Sequence, residues 1–188
     1  PGRRGKTMEV IISTLHEKNP REEQHSYRVA KLCEDIAAAL DMTSADRKKI
    51  RSAGLLHDIG KIGIPEEYLN KKEPLTDAEY EVIRRHPEIG FRILRSGHDM
   101  GDIAEITLSH HERWDGGGYP RGISGEEIPL FSRIIAIADA FDSMTSSKSY
   151  KDQITEAEAV KELIDNAGTQ FDPYLVECFV RDVLSFNR

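Results

Sequence analysis

The sequence predicts an all-α protein folded as one compact bundle of about eight helices. Apolar residues recur at helical spacing along almost the whole chain. Capping residues and prolines stand where those patterns begin, and no alternating β-type pattern competes with them. At 188 residues the chain matches one ordinary domain with a core large enough to need no staples.

The elements follow in order. Residues 7–18 carry Met8, Ile11, Ile12 and Leu15 on one side. Pro20 opens a second helix whose apolar side holds Val29, Leu32, Cys33, Ile36 and Leu40. Thr43 and Ser44 can cap a third, which runs through Ile50, Leu55 and Leu56 into His57 and Asp58. Gly60 and Gly63 should break it ahead of an Ile64-Pro65 turn. Thr76-Asp77-Ala78-Glu79 is a capping box, so a helix starts there and runs towards Arg85. His86-Pro87 marks a boundary, because a residue before proline is pushed away from helical geometry. Helices to about Ser96 and over residues 99–111 come next. Residues 114–125 hold five of the 14 glycines and a proline, and read as a loop. Pro129 starts the apolar run Ile134-Ile135-Ala136-Ile137-Ala138, which should be buried; the last helices fall at 156–166 and 173–186. Residues 1–19 are expected to form a linker and helix, and residues 20–188 the domain proper.

Composition narrows the function. With 38% hydrophobic and 31% charged residues the chain is globular in type. Its net charge of −7 argues against a nucleic-acid polymer as partner, although a few cations can still favour a small phosphate. No stretch has the roughly 20 apolar residues that a membrane span needs. Pro1-Gly2-Arg3-Arg4-Gly5 has no initiator Met and no signal region, so it reads as a cut through a linker. The two cysteines, Cys33 and Cys178, are expected to be reduced core thiols in a cytoplasmic protein.

Five of the seven histidines fall where helical patterns meet polar neighbours. His57-Asp58 ends one apolar helix and His110-His111 another. Asp139 lies inside an apolar run with no cationic neighbour, where an ionised carboxylate requires a partner. Each has an ordinary reading when taken alone. His86 before proline would be solvent-facing or capping, and His25 sits on an exposed-looking turn. Asp139 could be satisfied by backbone or by a distant Arg. Together, imidazoles and carboxylates without cysteine favour a site for a borderline divalent metal over a thiolate zinc site. His16 and His98 lack such context and are expected at the surface.

The runs His57-Asp58-Ile59-Gly60-Lys61-Ile62-Gly63-Ile64-Pro65, His86-Pro87-Glu88-Ile89-Gly90 and His110-His111-Glu112-Arg113-Trp114-Asp115-Gly116-Gly117-Gly118-Tyr119-Pro120 resemble the HD-GYP family, a branch of the HD-domain metal phosphohydrolases. Further similarity lies in Ile128-Pro129, in Ala138 to Ser146 and in Gly168 to Pro173, so the resemblance covers about residues 21–179. It implies an HD-domain bundle with a Gly-rich GYP loop and metal ligands His25, His57, Asp58, His86, His110, His111 and Asp139. Asp58 would bridge two ions. His25, His57 and Asp139 would complete one coordination sphere, and His86, His110 and His111 the other. Iron or manganese is favoured, with nickel and zinc suited to the same ligands. Lys61 matches the family lysine that contacts the scissile phosphate, and Tyr119 offers a face to a base and a hydroxyl to a phosphate. Arg28, one turn after His25, would orient a metal water or a phosphate. Trp114 is expected to pack beneath the loop.

Two departures from the family pattern matter. Where the family often has a Glu one turn before the first His, this chain has Arg21, which cannot ligate a cation; a binuclear site is therefore expected, with Glu22 the nearby alternative carboxylate. Lys148-Ser149-Tyr150 replaces a common Arg-Pro-Tyr, so Lys148 and Lys151 would hold a second phosphate without the arginine fork, and more weakly. The resemblance implies in-line attack by a metal-bridging hydroxide on cyclic di-GMP, giving linear pGpG, with further cleavage to GMP left open. The rivals are hydrolysis of another cyclic dinucleotide and a regulatory module with little catalysis. An upstream sensory or receiver domain and a diguanylate cyclase are the expected partners. Residues 7–18 would either pair in a homodimer or dock onto the domain.

Overall fold

In the computed structural model, which describes residues 3–146 and 153–186, helices α1 (Arg3–Lys18), α2 (Pro20–Ala39) and α3 (Ser44–Leu56) come first. Pro20 occupies the first turn of α2, where its missing N–H costs no hydrogen bond. The Thr43 hydroxyl accepts from the Asp46 N–H at the start of α3. Leu15 on α1 is fully buried in the common core, so α1 docks onto α2.

A 3-10 turn, Ile59–Gly63, follows α3 directly. The glycines expected to end the helix thus sit inside a tighter helical turn. The short α4 (Glu66–Leu69) was not expected. The capping box is present on α5 (Asp77–Ile83): the Thr76 hydroxyl accepts from Glu79 N–H and the Glu79 carboxylate accepts from Thr76 N–H. His86 begins α6 (His86–Arg95), with Arg85 before it still in helical geometry. The chain therefore pivots there and does not leave the helical region. Helix α7 (Gly101–Leu108) stops before the two histidines expected on it, which occupy the turn beyond.

Beyond the loop at 114–125 come α8 (Leu130–Thr145), α9 (Glu156–Asp165) and α10 (Pro173–Cys178). A π-helical segment, Phe179–Val183, prolongs α10. Taking those two as one gives nine helices of seven residues or more among the described residues, one beyond expectation. Helix α8 runs through the middle and buries Ile134, Ile135, Ile137, Ala138 and Phe141 against α2, α3, α7, α9 and α10. Cys33 and Cys178 are free, buried thiols. His16 departs from its expected surface position. It lies half-buried between α1 and α2, with Glu23 at 3.7 Å and the Tyr27 ring at 5.7 Å; His98 is exposed. No helix among the described residues is long and apolar enough to cross a membrane.

One close approach sets the position of everything polar at the centre. A Cβ on Gly60 would lie 1.7 Å from the His86 carbonyl oxygen and 2.6 Å from Gly90 N, so only glycine lets the 3-10 turn seat on the start of α6. Gly60→Ala should therefore cost about 1–3 kcal/mol from overpacking. A thermal melt should show a midpoint several degrees lower, and an unchanged midpoint would contradict this packing.

Candidate metal centre

Three histidines stand at or just past the ends of helices, and each helix end supplies a carbonyl without an intrahelical partner. His57 Nδ1 lies 2.6 Å from Gly54 O at the end of α3. His86 Nδ1 lies 2.7 Å from Ile83 O at the end of α5, and His110 Nδ1 2.6 Å from Thr107 O at the end of α7. A carbonyl can only accept, so each Nδ1 carries a proton, and in the neutral ring Nε2 is the nitrogen with the lone pair. All three Nε2 atoms face the same small space. His57 Nε2 is buried there with no hydrogen-bond partner, and His86 Nε2 lies 3.3 Å from His110 Nε2.

Asp58 sits between two groups of imidazoles. Its Oδ2 is 3.2 Å from His57 Nε2 and 3.7 Å from His25 Nε2. Its Oδ1 is 3.2 Å from His86 Nε2 and 3.6 Å from His110 Nε2. Asp139, from the middle of α8, places Oδ1 at 2.9 Å from His25 Nε2 and 3.5 Å from His57 Nε2. The His111 ring centre lies 4.2 Å from that of His110. Two clusters result, His25-His57-Asp58-Asp139 and Asp58-His86-His110-His111, each with its donor atoms within 4.8 Å of one another. The seven residues singled out in the sequence as ligands are thus brought together around one shared carboxylate. The oriented lone pairs and the orphaned His57 nitrogen suit divalent cations.

The two halves differ electrically. Burial works against charge on His25, but hydrogen bonds to Asp139 and Asp142 outweigh it and raise its pKa to about 9. His57 is pushed well above the ordinary value in the same way: burial opposes this, and the carboxylates of Asp58 and Asp139 beside it prevail. Asp58 is held well below the carboxylate range by His57 and Lys61 despite its burial, and Asp139 by His25 and His57. In the other half, burial and neighbouring imidazoles lower both His110 and His111.

Asp142 has a part that the sequence did not disclose. It lies one turn beyond Asp139 on α8 and accepts from His25 Nδ1 at 2.7 Å, so it does for His25 what carbonyls do for the other three. It also holds Arg28 through Nε at 2.6 Å and Nη2 at 3.1 Å. Arg28, expected to orient a metal water or a phosphate, is itself held by this pair and lines the cavity. Lys61 Nζ lies 2.9 Å from Asp58 and 3.0 Å from Glu22 Oε1. Glu22 is only 5% exposed, and a cation already engages it.

The Gly-rich loop closes one side. Buried Glu112 accepts from the backbone N–H groups of Arg121 (2.6 Å) and Gly122 (3.0 Å), and Arg121 donates to Ser109 Oγ. Trp114 N–H and Asp115 N–H donate to the carbonyls of Gln170 and Thr169, which anchors the loop to the 168–173 segment. Trp114 is half-buried, with Arg133 over its ring. At Gly118 a Cβ would fall 2.4 Å from Arg113 N, so a side chain there would push the loop off the His110-His111 turn. Tyr119 stacks on His111 at 5.0 Å, and the Arg84 guanidinium lies 4.4 Å from its ring centre. The ring expected to offer an open face to a base is thus engaged by protein groups. Lys148 and Lys151 lie outside the described residues. The cavity over the clusters, about 620 Å³, is lined among others by Arg28, Lys61, Tyr80 and Tyr119.

An all-helical bundle that presents a paired His-Asp at a helix end, inside a double cluster of imidazoles and carboxylates, defines the HD class of domain. A model of the HD domain family matches residues 9–175, and the chain belongs to that family. Within it the chain is a member of the HD-GYP branch. It is 41% identical over 176 residues to a protein of Thermotoga maritima named cyclic di-GMP phosphodiesterase, covering 93% of this chain and 48% of that protein. It is also 41% identical over 155 residues to 3'3'-cGAMP-specific phosphodiesterase 2 of Vibrio cholerae, covering 81% of this chain and 30% of that protein. The chain thus spans about half, or less, of the length of these relatives. Among solved structures, Bd1817, an HDG"Y"P protein from Bdellovibrio bacteriovorus, shares the fold with a TM-score of 0.70 at 20% identity, over 87% of this chain and 52% of that one.

Two outcomes follow from the site's electrostatics. A histidine whose folded pKa is raised stabilises the fold fully below its unfolded value of 6.5 and loses that contribution as pH rises through about 9. Metal-free protein should therefore melt progressively lower between pH 6.5 and 9, and His25→Gln should flatten the profile. Replacing Asp142 with Ala removes the acceptor that orients His25 and should weaken metal binding about 10–100-fold in a chelator competition.

Proposed function

We propose that this chain is a metal-dependent phosphodiesterase that opens cyclic di-GMP to linear pGpG. The observation that carries this reading is the pair of four-residue clusters sharing Asp58, each able to hold a cation. Similarity to the Thermotoga maritima phosphodiesterase supports the choice of substrate. Similarity of the same degree to the Vibrio cholerae 3'3'-cGAMP-specific enzyme makes a mixed cyclic dinucleotide the second reading.

Two ions, manganese or iron, would be held by His25, His57, Asp58 and Asp139 on one side and by Asp58, His86, His110 and His111 on the other. When bound, such ions supply Lewis acidity and a water made acidic enough to attack phosphorus near neutral pH. The chain's own groups do the rest. Helix-end carbonyls hold the Nδ1 protons of His57, His86 and His110, so these rings keep their lone pairs inward without reorganising. Lys61 places a fixed cation beside Asp58, where charge grows on the phosphoryl oxygens. Arg28, clamped by Asp142, offers its remaining donors to a second phosphate. Glu22 is paired with Lys61, and Arg21 cannot bind a cation, which favours two ions over three.

Anaerobic reconstitution should load two metal ions per chain by inductively coupled plasma analysis, and chromatography should show pGpG. Asp58→Ala should lose both metal and turnover. A count near three, or full activity in Asp58→Ala, would overturn the assignment.

A further inference from the structure

A second cavity lies directly behind Tyr119. It measures about 490 Å³, and its rim carries Glu81, Arg84, Arg85 and Glu88, with Tyr119 forming the wall shared with the metal cavity. The charges on this rim balance, two guanidinium groups against two carboxylates. A phosphate would gain little from such a rim, because the carboxylates oppose it. A neutral heterocycle with acceptors on one edge and donors on another fits it.

Arg84 is the organised member. Its guanidinium lies 4.4 Å from the Tyr119 ring centre and 5.8 Å from that of Tyr80, one helical turn earlier. Glu81 accepts from its Nη1 at 2.8 Å. The guanidinium thus rests against Tyr119 and Glu81 without a ligand, while its other donors have no protein acceptor among the described residues. Arg85 and Glu88 are exposed and have no ion-pair partner among the described residues. Tyr80, 49% exposed, faces the metal cavity, so the rim connects with the place where a phosphodiester would sit.

We infer that this cavity is a guanine subsite, with Arg84 and Arg85 reading the base's acceptor edge and Glu88 its donor edge. Guanine O6 and N7 match an arginine fork, and its N1–H and N2 amino groups match a carboxylate. Adenine presents an amino group where O6 would be, and it lacks the N1–H and the N2 amino group. Arg84 and Glu88 are thus specificity-determining residues, and the phosphodiester lies on the other side of Tyr119. The inference rests on the phosphodiesterase reading for the nature of the ligand, yet it is tested by binding.

Non-hydrolysable phosphorothioate analogues of cyclic di-GMP and cyclic di-AMP, titrated calorimetrically into manganese-loaded protein, report the base preference directly. Wild type should favour the guanine compound by roughly tenfold to a hundredfold. Arg84→Met and Glu88→Gln should each erode that ratio several-fold. Arg84→Lys, which keeps the charge and the stem, decides the matter should the methionine variant not fold, and it too should lose most of the preference. Equal affinity for the two compounds in wild type, no binding of either, or a ratio unchanged in the folded Arg84 variants would each overturn the subsite. A preference that depends on Arg84, without turnover of cyclic di-GMP, would uphold the subsite and remove the hydrolase. Turnover with a base preference indifferent to Arg84 would do the reverse.

Discussion

The polar centre of this bundle depends on helix ends. An α-helix leaves its last carbonyls without internal partners, and here α3, α5 and α7 each give one to the Nδ1 of a histidine at the boundary. One hydrogen bond thereby satisfies a backbone orphan, selects the tautomer and aims the opposite nitrogen. Packing of α7 against α3 and α6, and of α6 against the 3-10 turn, fixes where these nitrogens meet. That explains how His57, His86 and His110 can be buried side by side. Each Nδ1 has its carbonyl, and each Nε2 faces an oxygen of Asp58.

Asp58 divides this arrangement in two. Its oxygens face different imidazoles, so a single carboxylate couples a half in which His25 and His57 are driven towards the protonated form to a half in which His110 and His111 are driven towards the neutral one. The difference traces to Asp139 and Asp142, both on α8 and both within reach of His25. Helix α8 therefore has two duties. One face fills the core with isoleucines, and the turn between Asp139 and Asp142 sets the charge state of the site.

Much of this was readable from the chain, and what escaped did so for physical reasons. Helical periodicity located the long elements, because a buried stripe leaves a strong repeat. It overran at 99–111: His110 and His111 sit in phase with the apolar positions of α7 but lie in the turn after it. The short α4 lacks enough turns to show a period. Asp142 and Glu112 were passed over because each acts through another group, on His25 and the backbone of the loop respectively, and Glu22, noted only as a spare carboxylate, proves to be the partner of Lys61. Such roles depend on proximity across 39 and 117 residues or on backbone donors, which leave no local pattern. His16 was misplaced for a similar reason, since only the packing of α1 on α2 buries it. Family resemblance pointed to the seven residues that cluster. The oriented lone pairs, which make that cluster chemically intelligible, required coordinates.

A net charge of −7 conflicts on its face with the proposed phosphate-ester ligand, and local structure resolves the conflict. Acidic groups near the cavity are already committed: Glu22 to Lys61, Asp142 to His25 and Arg28, Asp139 to His25 and His57. Each carboxylate immobilises a cationic or ionisable partner, so the acid content of the site orients positive charge and does not simply repel anions. Glu81 does the same for Arg84 on the far side of Tyr119. Neutralised pairs of this kind fall off quickly with distance, whereas a pair of divalent cations at the shared carboxylate would dominate the field inside the cavity. The cavity's own field, and not the overall charge, would then govern the ligand.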